Sequence, residues 1–267
     1  MFNTPAIRIE LGDDGLALMR LTQPTRGNPM DGDFTRDFRS AMDALWTAHD
    51  AQRLRAVLLT ADGANFSYGG DIKSLYPARE QLPHMIRAWT GELHMGLQRF
   101  WQLPVPVVAA AQGFAMGGGL SLLAGCDVVL AGASAKFGSA FVQIGFSCDS
   151  GSSVTLTLRM GVARARRFVM LAQVLGSADA CQAGLVDQVV ADDQLQAEAL
   201  AQAQRLASGP TVAYGEIKRL FLRAGASAFT AQLEDEALTL ARVSRTADAQ
   251  EGVAAMAERR KPVFIGR

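Results

Sequence analysis

The chain has 267 residues, 49% of them hydrophobic, with 26 Lys and Arg against 26 Asp and Glu. Such a length and apolar content allow a substantial buried core, and the balanced charge sets up no global field, so neither nucleic acid nor a membrane surface is expected as a partner. The three cysteines, Cys126, Cys148 and Cys181, cannot all pair and lack metal-ligand spacing; no metal site is expected, and a reducing, cytoplasmic setting is the simpler reading.

Met1 to Glu10 carries no basic segment followed by an apolar run, so it does not read as a secretion signal. Ile7 to Leu11 and Leu16 to Leu21 alternate around Gly12-Asp13-Asp14-Gly15, which predicts an antiparallel hairpin. Phe34, Phe38, Ala41, Met42 and Leu45 then recur at helical spacing, with Asp31 or Asp33 placed to offset the positive end of the helix dipole. Short apolar strands are predicted at Ala56 to Thr60, Val105 to Ala111 and Val128 to Ala131. The apolar stretch from Leu103 to Ala133 does not read as one membrane-spanning helix, because Pro104, Pro106, Gln112, Asp127 and its glycines break it into short elements. A last strand is predicted at Leu185 to Val190. Helices follow over about Asp192 to Ala207, Val212 to Arg223 and, with interruptions, Phe229 to Arg259. The repeated order of strand, glycine-rich loop and helix makes this an α/β chain of successive β-β-α turns, with a soft boundary at Ser208-Gly209-Pro210. That divides it into a core over 1–208 and a helical region over 209–267, whose amphipathic helices either cap their own core or cover a neighbouring surface.

Two glycine clusters stand out. Phe66-Ser67-Tyr68-Gly69-Gly70-Asp71-Ile72-Lys73 follows a strand and leads into a helix, and Gly117-Gly118-Gly119 precedes Leu120-Ser121-Leu122-Leu123 at another helix start. Adjacent glycines allow close backbone approach, and a helix start leaves N–H groups without partners. Either cluster alone is also explained by a tight turn or close packing. Together they can present two N–H donors to one oxygen on which negative charge develops, as in a thioester that becomes an enolate. A side chain must then move the proton.

These clusters, with Pro104-Val105-Pro106-Val107-Val108-Ala109-Ala110, the Asn28 loop, Cys126-Asp127, Ala135-Lys136-Phe137-Gly138, Ala183-Gly184-Leu185-Val186 and the Glu251-Gly252 to Gly266-Arg267 pattern, resemble the crotonase, or enoyl-CoA hydratase/isomerase, superfamily over almost the whole chain. The resemblance implies a crotonase-like spiral of repeated β-β-α turns with a C-terminal helical region serving trimerisation, in trimers or pairs of trimers. It implies coenzyme A as part of the thioester substrate and no permanently bound cofactor. Carried over residue by residue, Gly70 and Gly118 are the oxyanion donors. Lys73 lies near the CoA phosphates, Arg26 and Tyr68 border the nucleotide, and Arg259 is a further substrate-binding position; Arg26, Lys73 and Arg259 read equally well as solvated charges.

The departures from the family pattern bear on the reaction. The two glutamates with which hydratases position water correspond here to Ser121 and Phe141, neither of which can be a carboxylate base, so ordinary hydration is not expected. Asp149, in Ser147-Cys148-Asp149-Ser150-Gly151, falls where crotonase isomerases and chlorobenzoyl-CoA dehalogenases carry a catalytic aspartate, although a helix cap is the other reading. Ala140-Phe141, Ile144-Gly145 and the C-terminal segment most resemble bacterial 1,2-epoxyphenylacetyl-CoA isomerases. The expected function is therefore isomerisation of an unsaturated or ring acyl-CoA through an oxyanion-stabilised enolate, with Asp149 as acid and base and Phe141 beside the acyl group. His94 corresponds to a histidine of the dehalogenase branch, but its spacing to Leu93, Leu97 and Trp101 favours a packing or pocket-lining role. Asp149 with His94 in dehalogenase- or hydrolase-like chemistry, and a noncatalytic acyl-CoA-binding scaffold, are the alternatives. Cys148 reads as a small buried side chain, and Asp71 and Asp127 as structural turn residues.

Overall fold

The alternating hairpin residues pair as their pattern predicts, strand β2 (Ile7–Leu11) lying antiparallel to β3 (Leu16–Leu21) with Ile9 opposite Met19. The computed structural model describes residues 1–75, 81–224, 238, 240 and 242–267, without the side chains of Lys73, Leu75, Leu82, Met256 and Ala257. Around the hairpin a seven-stranded sheet is ordered β1-β2-β3-β5-β7-β9-β12, where β1 is Phe2–Asn3, β5 Ala56–Ala61, β7 Val107–Ala111, β9 Val128–Gly132 and β12 Gln188–Val190. From β3 onward its neighbours are parallel. Two smaller sheets join β4 (Pro29–Met30) to β6 (Gly69–Gly70), and β8 (Phe114–Met116) to β10 (Lys136–Gly138) to β11 (Val174–Gly176).

Each turn of the spiral sends one strand into the large sheet and the next into a small one before a helix returns the chain. The helices are α1 (Gly32–Asp50), α2 (Ile72–Leu75), α3 (Leu82–Gln102), α4 (Gly117–Ala124), α5 (Ser152–Met160), α6 (Val162–Met170), α7 (Ser177–Gln182), α8 (Leu195–Ala207), α9 (Thr211–Ala224) and α10 (Ala247–Ala257). This is the crotonase-like architecture that the resemblance implied.

Both faces of the large sheet are covered, which is why β5 and β7 read as unbroken apolar runs. Leu58, Val108, Ala110 and Leu130 pack against Leu195, Ala199 and Ala203 of α8. Val57, Leu59, Ala109 and Val129 point the other way into the larger core with Phe34, Phe38, Leu97 and Phe100. There α1 and α3 meet closely at Gly96, where an added Cβ would lie 2.7 Å from the Phe38 ring. Of the two aspartates expected near this helix start, Asp31 is the one that caps α1, accepting from Phe34 N at 2.9 Å.

Some boundaries differ from expectation. Strand β7 starts at Val107, since Pro104 and Pro106 have no N–H to donate to a ladder. Leu185 and Val186 are buried but precede β12: their N–H groups donate to Ala180 O to close α7, with Gly184 at φ +83°. Of the interrupted helical stretch expected over Phe229 to Arg259, Ala247–Ala257 forms α10, while residues 229–237, 239 and 241 lie outside the described residues. Helix α9 is tied to the large sheet through Lys218, whose Nζ sits 2.9 Å from Asp127 Oδ2, which also accepts from Val107 N at 2.8 Å; Arg55 donates to Gly209 O and Phe264 O beside it, while Ile217, Phe221 and Leu222 of α9 are exposed. Among the described residues, no helix is long and apolar enough to cross a membrane.

Candidate active site

The two glycine clusters, 47 residues apart in sequence by their second and first glycines, Gly70 and Gly117, come into direct contact because β6 lies beside the start of α4. Gly69 has φ +78°, and a Cβ on it would stand 2.6 Å from Met116 O and 2.9 Å from Gly118 N. Only a residue without a side chain fits there. Gly69 N is held by Ser67 Oγ at 3.0 Å, and Ser67 Oγ in turn donates to Asn28 O at 2.8 Å. Gly70 is different: nothing lies within 4 Å of where its Cβ would be, because it opens into a cavity. Gly118 occupies the second position of α4, so its N–H has no acceptor within that helix. Met30, paired with Gly70 across β4 and β6, also presses its sulfur toward Gly118.

Gly70 and Gly118 both line this cavity, which has a volume of about 780 Å³. One wall is α3, whose Ile86, Trp89, Thr90 and Leu93 follow helical spacing on one face. Phe141, Ile144 and Phe146 form another wall, on and after a short turn entered through Ala140 at φ 57°. Tyr68 lines the mouth, half exposed and stacked on Phe114 at 5.7 Å between ring centroids.

Asp149 lines the same cavity, and among the described residues it is the one carboxylate that does. Its side chain does not cap α5: the Asp149 backbone carbonyl accepts from Ser152 N, while the carboxylate meets His94 Nε2 at 2.8 Å through Oδ1 and Ser150 Oγ at 3.3 Å through Oδ2. The loop that carries it is braced on two sides. Ser121, fully buried, donates to Gly117 O at 3.0 Å and reaches Asp149 O at 3.4 Å, so this hydroxyl ties the glycine helix to the aspartate loop. Beyond Ser150, at φ 55°, Gly151 at φ +74° lies against Trp101, where an added Cβ would come within 1.8 Å of Cη2. Gly151→Ala is therefore expected to cost about 2–5 kcal/mol from left-handed strain and overpacking, read as a lowered urea midpoint.

His94 takes neither the packing place nor the cavity-lining place that its spacing suggests. Leu93, Leu97 and Phe100 are buried, but His94 projects from the next position of α3 and turns its exposed ring to Asp149. The pair is separated by 55 residues, and no local pattern announces it.

The expected nucleotide-binding charges are distributed unequally. Arg26 Nη2 holds Asp31 Oδ2 at 2.8 Å and Asp71 Oδ2 at 2.6 Å, linking the first loop to the starts of α1 and α2. The hydrogen bond to Asp31 outweighs partial burial and raises the Arg26 pKa. For Asp71, burial works upward, but hydrogen bonds from Ser74 and Arg26 prevail and hold the carboxyl below its ordinary value. Asp71 and Asp127 thus act structurally, as expected. Arg26 and Arg259 do not line the cavity, Arg259 being exposed after α10 at φ 55°. Lys73 lies on α2 with its side chain outside the described residues.

Cys148 corrects the expectation of a buried thiol: it is exposed on the cavity rim, in the irregular loop before α5. Cys126 is the buried one, and burial pushes its thiol up to about 12. Under iodoacetamide at neutral pH, Cys148 is expected to alkylate well before Cys126, as peptide mass mapping would show. Among the described residues, no group of three His, Cys, Asp or Glu is placed to hold a metal ion.

A family model described as enoyl-CoA hydratase/isomerase matches residues 12–267. A protein from Rhodobacter capsulatus named probable enoyl-CoA hydratase is 33% identical over 98% of this chain and 98% of its own. The 1,2-epoxyphenylacetyl-CoA isomerase of Escherichia coli is 31% identical over 96% of this chain and 97% of its own. The solved structure of an enoyl-CoA hydratase from Polaromonas sp. JS666 superposes with a TM-score of 0.90 at 27% identity, covering 97% of this chain and 99% of that one. The glycine platform, the spiral that assembles it and these likenesses place the chain in one family: it belongs to the enoyl-CoA hydratases/isomerases.

Proposed function

We propose that this family member is an isomerase of unsaturated or ring acyl-CoA thioesters, working through an enolate with Asp149 as the single acid and base. The observation that carries the reading is the cavity's composition: among the described residues Gly70, Gly118 and one carboxylate, Asp149, share it, and the positions that the resemblance matches to the hydratase glutamates hold a buried serine and a phenylalanine. Ser121 Oγ is committed to backbone carbonyls, and Phe141 has no proton to exchange. For a 3-enoyl-CoA, Asp149 takes the α-proton, the electron pair delocalises onto the thioester oxygen facing Gly70 and Gly118, and the protonated carboxyl returns a proton at the γ-carbon. The product is the conjugated 2-enoyl-CoA. No water is added, so one carboxylate suffices.

The test is a paired assay with trans-3-hexenoyl-CoA and trans-2-hexenoyl-CoA. Isomerisation of the first without 3-hydroxyacyl-CoA from the second is expected. Hydration of the second at a comparable rate would overturn the reading.

A second reading is favoured by the 2.8 Å contact between His94 and Asp149: nucleophilic attack by the carboxylate, with His94 activating water to release the adduct. It predicts a covalent adduct on the Asp149 peptide under single-turnover conditions with an aryl-CoA bearing a leaving group, and none is expected if Asp149 only shuttles protons. The C-terminal region from residue 209 is proposed as the trimerisation element, and Lys73 as a contact to the CoA phosphates.

A further inference from the structure

Asp149 stands at a boundary. Its residue lines the cavity, as does Ser150, whose hydroxyl lies 3.3 Å from Oδ2, whereas His94, bonded to Oδ1, does not line it. The His94 side chain is 52% exposed and that of Asp149 37%. The carboxylate therefore meets the cavity on one side and a solvated imidazole on the other, and an acyl group filling the cavity would leave His94 as the aspartate's contact with bulk water.

We infer that His94 exchanges the proton held by Asp149 with solvent during each isomerisation, so that the hydrogen delivered to the γ-carbon comes from water and not from the substrate's α-carbon. This rests on Asp149 as the isomerase acid and base. The step balances without a co-reactant. The α-proton arrives on Asp149 as the enolate forms, and passes from Oδ1 to Nε2 of neutral His94, leaving a carboxylate and an imidazolium. The imidazolium N–H, on a ring that is half exposed, trades its proton for one from water. Nε2 then returns a solvent proton to Asp149, which protonates the γ-carbon and restores the starting state. His94 touches Asp149 and not the substrate, so it is a positioning residue with an exchange role.

A purely structural histidine would affect turnover or stability but not the origin of the transferred hydrogen. The experiment converts trans-3-hexenoyl-CoA in heavy water under single-turnover conditions and measures γ-deuterium in the trans-2-hexenoyl-CoA product by mass spectrometry. The wild-type enzyme is expected to deliver predominantly solvent deuterium. In His94→Gln, which cannot accept the proton, incorporation is expected to fall about tenfold, the substrate's own hydrogen being retained. Adding imidazole to His94→Ala should raise incorporation again. Equal incorporation in wild type and His94→Gln, or retention of the substrate hydrogen by the wild type, would overturn the inference while leaving the isomerase reading intact. No conversion by the wild type would overturn that reading and this one with it.

Discussion

Asp149→Asn is expected to lower isomerase turnover by about 10²–10⁴-fold while CoA thioester binding persists, because the amide keeps the size of the carboxylate but cannot take a proton from carbon. The loop should hold its shape. Its bracing comes from the Asp149 backbone carbonyl, which Ser152 N and Ser121 Oγ approach, and from Gly151 against Trp101, none of which involves the carboxylate. The loss should fall on kcat more than on KM, since the proton moves in the transition state and not on binding. Full turnover by Asp149→Asn, with a melting temperature like that of the wild type, would remove Asp149 from the chemistry.

Gly69→Ala and Gly70→Ala form the second contrast, since adjacent glycines face different surroundings. A methyl on Gly69 meets Met116 O at 2.6 Å and Gly118 N at 2.9 Å, both backbone atoms, and φ +78° penalises any side chain. Strand β6 and the start of α4, proposed to hold the oxyanion, would have to separate, with an expected loss of about 10²–10³-fold in turnover and about 2–5 kcal/mol in stability. At Gly70 a methyl meets nothing within 4 Å and enters the cavity. Gly70→Ala should therefore melt near the wild type. Equal destabilisation by the two substitutions, measured by urea unfolding, would show that the loops are not packed as described.

Local periodicity carries far in this chain. The β2–β3 hairpin, the apolar face of α1 with an aspartate at its start, and the starts of α2 and α4 at glycine clusters all follow from short-range pattern and appear where expected. The three-residue strands β8, β10 and β11 do not, since a strand of that length has too few residues to show alternation and gains its ladder only from tertiary pairing. The site divides in the same way. Gly70 and Gly118 are visible as glycines at helix starts, but the contact of Gly69 with Gly118 depends on the spiral. His94 illustrates the limit most clearly: its neighbours Leu93 and Leu97 mark a packing face, and its own ring points off that face to a residue in a different turn. The exposure of Cys148 is not legible in Ser147-Cys148-Asp149-Ser150 either, because only the fold makes this loop the rim of a cavity.

In the proposed mechanism the glycine platform and one aspartate make an enolate and return a proton without adding water. Proton and deuterium NMR of trans-3-hexenoyl-CoA incubated with the enzyme in heavy water tests it most directly. The expected result is conversion to trans-2-hexenoyl-CoA with deuterium on the γ-carbon and no 3-hydroxyacyl-CoA. Thioester binding with neither label nor double-bond migration, or accumulation of the hydrated product, would contradict it.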